Sequence, residues 1–459
     1  MSEKKTHPLP SDICSQCVKC GTCQAVCPVF WARPGEAYSP RGKMAIIQAV
    51  SQSHLEESNL YREHLESCLL CGACEESCPS EVPTLSAMLE ARESMASRAG
   101  MKPGKGLILN HLLGAAKTFR AAMRAGRVFQ PLMFRKIPQS SGLRRRFPMP
   151  LVPDDRTLPA VAPQFFTDLF DGVVREGPGP RVGIFAGCMT NYFYPETGQT
   201  MVDLLGTLGA TVVVPEDQAC CGMPALTGGG RETVRELAVK NLEVFEGYDL
   251  DVIVTGCASC GGNLKHNYGD LLQEAGIDKA RADAFTSKIL DINEFLVRSG
   301  LTAHLEGNED KPLPEGELKV TYHHPCHLGR LQGVKNEPEK LLESIPGVRF
   351  VPMTDADRCC GMGGSFSIEH YDISKRINDE KVDRIVETGA DAVVTSCPAC
   401  ILHLRDGLIR RGHGNIDVLH ITELLSRATK KEILAGDSTD DSDVPGKNPG
   451  AEESAGSHP

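Results

Sequence analysis

The chain has 459 residues, of which 41% are hydrophobic, and a formal net charge of −11. This length allows two or three domains, and no apolar stretch approaches the ~18 residues that a membrane span needs. The polar start, Met1 to Pro8, does not resemble a secretory leader. The sequence therefore predicts a soluble, cytoplasmic protein whose cysteines stay reduced rather than forming disulfides.

Two cysteine runs near the N-terminus share the spacing C-x-x-C-x-x-C-x-x-x-C-P. Their members are Cys17, Cys20, Cys23 and Cys27, and then Cys68, Cys71, Cys74 and Cys78. This spacing is the bacterial ferredoxin signature for two [4Fe–4S] clusters, in which the fourth cysteine of each run ligates the other cluster. Structural zinc is the alternative, but zinc takes four ligands, typically as two separated pairs.

The expected ligand sets are crossed. They are Cys17, Cys20 and Cys23 with Cys78, and Cys68, Cys71 and Cys74 with Cys27. Cys14 lies outside the spacing and is expected to be a spare thiol.

A different cysteine pattern occurs twice in the second half of the chain. Its members are Cys188, Cys220, Cys221, Cys257 and Cys260, and then Cys326, Cys359, Cys360, Cys397 and Cys400. Equivalent cysteines are 138 to 140 residues apart. This constant offset indicates an internal duplication.

Each repeat has an apolar run before its lone cysteine and another before its C-x-x-C pair. The runs begin at Val182 and Asp251, and at Val320 and Asp391, with helix-like stretches at 233–246 and 374–388 between them. Such runs predict α/β units with mainly parallel sheets, behind a mainly helical ferredoxin-like domain. The cysteines would then lie at the carboxyl ends of strands, where such sheets bind ligands.

Each repeat offers five thiols, which is one more than a cubane cluster uses. A glycine follows each adjacent pair, Cys220-Cys221 and Cys359-Cys360, and would let the chain turn so that both thiols face one site. We therefore expect one or two further [4Fe–4S] clusters here, with an opened, non-cubane form as one possibility.

The doubled pattern resembles the cysteine-rich CCG domain found in the B subunit of heterodisulfide reductase. With two ferredoxin motifs in front, the layout resembles the iron-sulfur subunits of glycolate oxidase and D-lactate dehydrogenase, and the C subunit of anaerobic glycerol-3-phosphate dehydrogenase. The segment Tyr38–Lys43, with the sequence YSPRGK, is more similar to the glycolate and lactate branch. The resemblance covers about residues 10 to 430.

This resemblance implies an electron-transfer subunit of a flavin-dependent 2-hydroxy-acid dehydrogenase, one that is not catalytic alone. Its partner would be an FAD-dependent dehydrogenase subunit, and its acceptor membrane quinone or a soluble carrier. The alternatives are a thiol-disulfide reductase subunit like that of heterodisulfide reductase and the C subunit of anaerobic glycerol-3-phosphate dehydrogenase. A third class is a scaffold whose second half has lost its clusters and only docks partners, but the full set of cysteines argues against it. No nucleotide, flavin or hydrolase motif is present in the sequence.

The expected domains are a two-cluster ferredoxin domain (1–100), a basic segment (101–180), two CCG repeats (181–310 and 311–430) and a disordered acidic tail (431–459). Residues 101 to 150 hold eleven Lys and Arg and no Asp or Glu. The segment could lie on an anionic membrane surface, placing the protein peripherally on the inner face, or dock an acidic partner, or simply link the two halves. Without an aromatic platform it does not suggest nucleic-acid binding.

Three histidines flank Cys326, namely His323, His324 and His327, and His403 follows Cys400. A histidine beside a cluster can hydrogen-bond to sulfur or carry a proton. We expect the three near Cys326 to pack around a cluster rather than to ligate iron, and His403 to be an ordinary helix residue.

Overall fold

The computed structural model describes residues 9–137, 142–149, 152–170, 172–306 and 317–436. The N-terminal part is helical, and its described residues up to Gly100 form no strand. It has one 3₁₀ turn, Glu36–Tyr38. Its α-helices are Ser11–Ser15, Thr22–Val26, Pro28–Ala32, Pro40–Ser51, Asn59–Glu66, Ala73–Glu76 and Thr84–Ala99.

A connecting region follows and contains a small antiparallel sheet. Its strands are β1 (Phe134–Lys136), β2 (Gly142–Arg145) and β3 (Leu158–Pro159), in the order β1-β2-β3. Its helical elements are Pro103–Gly106, the π-helix Leu107–Leu112, Ala116–Met133 and Phe166–Leu169. Leu109 and Leu113 pack into the core of the second half, so this region is attached to the body of the protein.

The first repeat is built on a five-stranded sheet, in the order β4-β6-β5-β7-β8. Its strands are β4 (Gly172–Arg175), β5 (Arg181–Ile184), β6 (Thr211–Val214), β7 (Val252–Thr255) and β8 (Ile289–Asp291). All neighbours are parallel except β4, which pairs antiparallel with β6. The segment predicted as a linker up to residue 180 thus contributes an edge strand to this sheet.

The second repeat has a four-stranded, fully parallel sheet in the order β10-β9-β11-β12. Its strands are β9 (Leu318–Tyr322), β10 (Val348–Phe350), β11 (Ala392–Thr395) and β12 (Asp417–His420). This order matches β6-β5-β7-β8 strand for strand, so the duplication seen in the cysteines is also a duplication of topology. The predicted fold class is confirmed.

Helices cover the sheets of both repeats. In the first they are Gly187–Tyr192, Pro195–Thr207, Met223–Thr227, Arg231–Glu246, Ala258–His266, Tyr268–Glu274, Lys279–Thr286, Ile292–Arg298 and Leu301–Glu306. In the second they are the π-helix His327–Leu331 and the α-helices Glu337–Glu343, Phe366–Glu369, Tyr371–Glu387, Pro398–Arg410 and Ile421–Gly436.

The last helix corrects one predicted boundary. The expected tail began at residue 431, but Ile421–Gly436 is continuous helix. The sequence KKEILA at residues 430–435 consists mostly of good helix formers and continues the helix past that point. Residues 437–459 lie outside the described part of the chain. Within the described ranges, every helix is too short or too polar to span a bilayer.

Arg92 joins the ferredoxin domain to the first repeat. The side chain is 5% exposed, and its guanidinium donates hydrogen bonds to the carbonyl oxygens of Leu65 (2.7 Å), Cys68 (2.7 Å) and Thr227 (2.8 Å). One buried cation therefore provides hydrogen bonds to carbonyl oxygens from both parts of the chain, beside Cys68, the first cysteine of the second run.

The basic segment is partly neutralised by acidic side chains of this chain. Its internal ion pairs are Lys102 and Lys105 with Glu66 and Glu369, Arg120 with Asp168 and Glu216, Arg124 with Asp168, and Arg145 with Asp154. Burial alone would raise the pKa of Glu369, but hydrogen bonds from the two lysines lower it to about 2. These pairs hold the segment to the body without an external acidic partner.

Candidate metal centre

The first cysteine trio lies at the surface around the helix Thr22–Val26. Cys20 is exposed, while Cys17 and Cys23 are half-buried. The Thr22 hydroxyl lies 3.4 Å from the Cys20 sulfur, and this hydrogen bond lowers the pKa of Cys20. Burial raises the pKa of Cys23, and the nearby Cys17, Cys27 and Cys20 sulfurs raise it further. The trio thus converges on one site with an open side.

The second trio shares one cavity with the fourth cysteine of the first run. Cys27, Cys68, Cys71 and Cys74 all line it, together with mainly apolar residues. The Cys27 sulfur caps the helix Pro28–Ala32 by accepting a hydrogen bond from the Phe30 amide at 3.4 Å. Proline at the first helical position fixes this turn and leaves Cys27 beside the second trio.

The donor set of this cavity fits a [4Fe–4S] cluster. Burial raises the pKa values of Cys27, Cys71 and Cys74, so without metal these groups are protonated thiols. Iron would replace the protons and remove the cost of burying thiolates. Four sulfurs in an apolar cavity suit a cluster better than a hydrated cation. The fourth cysteine of the second run, Cys78, lies in the turn after the helix Ala73–Glu76, with its amide bonded to the Glu75 carbonyl (3.1 Å).

The YSPRGK segment begins the helix that lies between the two ferredoxin sites. Ser39 caps the helix Pro40–Ser51 by accepting a hydrogen bond from the Gly42 amide at 3.0 Å. A Cβ atom at Gly42 would lie 1.8 Å from the carbonyl oxygen of Glu36. Only glycine therefore fits at that position.

The two cations of this segment each lie beside one ferredoxin site. Arg41 donates a hydrogen bond to the Lys19 carbonyl at 3.0 Å, inside the first run. Lys43 is 2% exposed, lines the cavity that contains Cys27, and donates to the Ser67 carbonyl at 3.4 Å. Arg41 is ion-paired with Glu36 at 2.7 Å. Lys43 donates to carbonyl oxygens, so its positive charge would stabilise the negative charge of a thiolate-bound cluster in the second site.

The five thiols of each repeat influence one another's pKa values as neighbours, and they do so in the same order in both repeats. In the first repeat the order is Cys188, Cys220, Cys221, Cys260 and Cys257. In the second repeat it is Cys326, Cys359, Cys360, Cys400 and Cys397. The Cys360 and Cys400 sulfurs, for example, are 3.7 Å apart. All ten predicted cysteines are therefore brought together, five in each repeat.

Shared protons make some of these sulfurs acidic. Hydrogen bonds from Cys220 and Cys260 lower the pKa of Cys221 to about 5. Hydrogen bonds from Cys326 and Cys360 likewise lower the pKa of Cys359 well below its usual value. Hydrogen bonds from Cys257 and Cys400 do the same for Cys397. A thiolate is the form that binds metal, so each site holds at least one sulfur with an increased tendency to be a thiolate.

The glycine after each adjacent pair has the conformation that the sequence predicts. Gly222 and Gly361 have φ angles of 85° and 92°, in the left-handed region that favours glycine. A Cβ atom at Gly222 would lie 2.8 Å from Val234 Cγ1. These turns direct both cysteines of each pair into the same site.

The two repeats meet at their C-x-x-C loops. The interaction with Cys257 is the largest cause that lowers the pKa of Cys397 well below its usual value. The Ala258 amide donates to the Ser396 carbonyl at 3.2 Å, and the Ser259 hydroxyl is 3.9 Å from the Cys397 sulfur. The two five-thiol sites are therefore adjacent.

The second repeat also contacts the ferredoxin domain through its cysteines. Cys71 and Cys359 lie in one buried cluster, and Cys326 packs against it. Burial, and then the interaction with Cys359, raises the pKa of Cys71. His327 bridges this junction, with ring nitrogens 3.0 Å from the Leu70 carbonyl and 3.2 Å from the Ser259 hydroxyl. The four groups of thiols thus form a continuous series: first trio, second trio, second repeat, first repeat.

The remaining histidines differ in their surroundings. His324 lies 2.7 Å from Glu339, and His403 lies 3.1 Å from the Ser374 hydroxyl inside the helix Pro398–Arg410. His323 is fully buried, and neither ring nitrogen has a hydrogen-bond partner among the described residues. Its nearest ring nitrogen and the Cys360 and Cys400 sulfurs lie within 4.8 Å of one another.

Two cations near the second repeat have no recognisable motif in the sequence. Lys381 is 2% exposed and donates hydrogen bonds to the Asp355 and Ala356 carbonyls. Burial lowers its pKa to about 8, while nearby Cys360 opposes that change. Arg330 pairs with Glu76 at 2.8 Å, and Cys71 and Cys326 raise its pKa against the effect of burial.

Comparison with known proteins agrees with this arrangement. Residues 13–82 match the 4Fe-4S dicluster domain family, and residues 182–265 and 320–405 each match the Cysteine-rich domain family. A probable glycolate oxidase iron-sulfur subunit from Bacillus subtilis is 30% identical over 90% of this chain and 93% of its own length. The chain belongs to the glycolate oxidase iron-sulfur subunit family. It is thus an iron-sulfur protein with an electron-transfer role in an oxidoreductase.

Other relatives in the family carry different names. The B subunit of fumarate reductase (CoM/CoB) from Methanothermobacter marburgensis is 31% identical over 90% of this chain and 72% of its own length. Lactate utilization protein A from Exiguobacterium sp. is 34% identical over 55% of this chain and 99% of its own. A crystal structure of a hypothetical protein from Helicobacter pylori has the same fold, with a TM-score of 0.50 over 91% of this chain and 74% of that one, at 9% identity.

Proposed function

We propose that this chain is the electron-transfer subunit of a flavin-dependent 2-hydroxy-acid dehydrogenase complex. A partner flavoprotein would oxidise glycolate or D-lactate, and this chain would pass the electrons to quinone or a soluble carrier. The continuous series of four thiol groups carries the proposal, because it joins the exposed Cys20 to the interior of both repeats. Bound clusters would supply one-electron redox chemistry at each position.

The ligands follow from the convergence of the thiols. Cys27 would complete the site of Cys68, Cys71 and Cys74, as their common cavity supports. Cys78 would complete the first trio. Each repeat would hold one cluster with its five cysteines.

A thiol-disulfide reductase is the second candidate. The relative named as a fumarate reductase (CoM/CoB) component favours it, since that protein matches most of this chain. The two candidates differ in where the substrate reacts. A reductase of this kind would bind substrate sulfur on this chain, whereas an electron-transfer subunit would leave substrate chemistry to its flavoprotein.

Reconstitution tests the proposed function. The anaerobically purified chain alone should not oxidise glycolate, lactate or glycerol 3-phosphate. Addition of the co-purifying flavoprotein and its hydroxy acid should bleach the iron-sulfur absorbance, because the electrons then reach the clusters of this chain. Hydroxy-acid turnover by this chain alone would contradict the proposal. Reduction of a disulfide substrate without flavoprotein would favour the second candidate.

We also propose that the end of the helix Ala116–Met133, together with β1 and β2, docks on an anionic lipid surface. Val128, Phe129 and Leu132 on that helix are 75%, 61% and 64% exposed, and Phe147 after β2 is 57% exposed. Several basic residues of the same helix end and of the β1–β2 region form no ion pair with a described residue. They are Arg127, Arg135, Lys136, Arg144 and Arg146. Exposed apolar side chains among cations match the interface of an anionic bilayer.

Vesicle binding checks this surface. The chain should sediment with phosphatidylcholine vesicles that contain phosphatidylglycerol, and less as salt rises. Changing Phe129 and Lys136 to Ser should reduce binding at least tenfold, since each basic residue near such a surface is worth about 1 kcal/mol and the aromatic ring adds buried area. Arg145→Ser is the matched control, because Arg145 is already paired with Asp154. Equal loss in the control, or capture by an acidic subunit instead of vesicles, would contradict lipid docking.

A further inference from the structure

The two repeats are built alike but surround their thiols differently. Phe185 follows β5, and His323 follows β9. Their amides make equivalent hydrogen bonds, to the Val254 carbonyl at 2.8 Å and to the Val394 carbonyl at 2.9 Å. The two residues therefore occupy the same structural position in the two repeats.

The side chains at this position have opposite character. In the first repeat the Phe185 ring stacks on Phe245, with ring centroids 5.8 Å apart. In the second repeat the residue that corresponds to Phe245 is Ile385, and the imidazole of His323 lies against the sulfurs of Cys360 and Cys400. An apolar ring in one site is thus replaced by a hydrogen-bonding ring in the other.

His323 also lacks the partner that a buried polar ring normally has. The side chain is 0% exposed, and both ring nitrogens lie without a hydrogen-bond partner among the described residues. Buried polar groups are nearly always satisfied. An imidazole directed at metal-ligating sulfurs finds its acceptor when the cluster is bound, because thiolate and sulfide sulfur accept hydrogen bonds.

A second, independent difference also favours negative charge in the second repeat. Lys381 on the helix Tyr371–Glu387 corresponds to Asn241 on the helix Arg231–Glu246. Asn241 is neutral and holds the turn at Cys220, accepting from the Ala219 amide at 2.8 Å and donating to the Cys220 carbonyl at 3.2 Å. Lys381 is instead a buried cation that donates to the Asp355 and Ala356 carbonyls, in the loop that leads to Cys359 and Cys360. The second repeat therefore has both an extra donor and an extra positive charge.

We propose that His323 donates an N–H hydrogen bond to sulfur of the cluster in the second repeat and, with the Lys381 ammonium, gives that repeat a higher reduction potential than the first. Hydrogen bonds to sulfur and nearby positive charge both stabilise the more negative, reduced cluster. Low local dielectric strengthens both effects. This inference rests on the proposed function, in which both repeats hold clusters. The second-repeat cluster, which lies between the ferredoxin domain and the first repeat, would then be the more easily reduced of the two repeat clusters.

The test exchanges the residues that distinguish the repeats and follows each cluster by an EPR-monitored redox titration. His323→Phe should keep its iron but lower the midpoint potential of the second-repeat cluster. The expected shift is about tenfold in the oxidised-to-reduced ratio at a fixed potential, which corresponds to 59 mV for a one-electron couple. Lys381→Asn should shift it in the same direction. The first repeat should not move in either variant. His324→Phe is the matched control, because His324 is paired with Glu339.

A spectroscopic measurement keeps the proposal testable if His323→Phe fails to fold. Protein labelled with ¹⁵N-histidine should show a weak nuclear coupling to the reduced second-repeat cluster, as a hydrogen bond gives, and this coupling should vanish in His323→Asn. A strong coupling typical of an iron–nitrogen bond would overturn the proposal in favour of ligation. An unchanged potential in both His323→Phe and Lys381→Asn would also overturn it.

Failure of this inference can be told from failure of the proposed function. The second-repeat signal is first assigned by its loss when Cys359 and Cys360 are both changed to Ser. If no signal depends on that pair, the second repeat holds no cluster and the proposed series fails. If the signal is present but independent of His323 and Lys381, only the inference about these two residues is wrong.

Discussion

Replacing Cys27 with Ala is expected to abolish the cluster at Cys68, Cys71 and Cys74, although Cys27 belongs to the other run in the sequence. The reason is the shared cavity, in which Cys27 is the fourth sulfur. Iron content should fall by about four per chain, the content of one cubane. EPR should show that the first-trio signal survives. Cys78→Ala should do the reverse, removing the first-trio signal and sparing the second.

Cys14→Ala is the matched control for this experiment. Cys14 is a buried thiol in the same domain, but its sulfur packs against Met44 Sδ at 3.9 Å, and burial raises its pKa to about 12. The variant should therefore retain all of its iron. A Cys27→Ala protein that loses the first-trio signal and keeps the second would disprove the crossed assignment.

Much of the fold of this chain can be predicted from its sequence, because the cysteine spacings recur and the second half is an internal duplication. The offset of 138 to 140 residues predicts two similar units, and the strand orders of the two sheets confirm them. The apolar runs beginning at Val182 and Val320 are the central strands β5 and β9. The spacing motifs, rather than closeness along the chain, predict the grouping of the thiols, since Cys27 lines the cavity of Cys68, Cys71 and Cys74.

The order of the sites could not be predicted in this way. It depends on contacts between distant segments, such as Cys71 with Cys359 and Cys257 with Cys397, and no periodicity marks these pairs. Lys381 and Arg92 are likewise single polar residues within helices, where a solvated face is the ordinary expectation. In the sequence, the YSPRGK segment is notable only for its similarity to the glycolate and lactate branch of the family, which does not reveal its structural role. Its structural basis is a capped helix that presents Arg41 to the first site and Lys43 to the second.

Removing the second-repeat site should interrupt electron transfer between the ferredoxin domain and the first repeat. This site contacts the ferredoxin domain through Cys71 and the first repeat through Cys257, so it lies between them. Changing both Cys359 and Cys360 to Ser should lower iron by about four per chain. Reduction by the partner flavoprotein should then reach only the clusters on the side where it docks. Rapid-freeze EPR should show the other side still oxidised after the wild-type chain is fully reduced.

The pair Cys220 and Cys221 provides the matched control for position in the series. The same double change to Ser removes the site at the end of the series, the first repeat, and leaves the ferredoxin sites in contact with the second repeat through Cys71. If the flavoprotein docks at the ferredoxin end, these three clusters should still be reduced at the wild-type rate. If it docks at the first repeat, this variant should block reduction of all three. Wild-type reduction of every remaining cluster in both variants would contradict a linear series, because electrons would then bypass whichever site was removed.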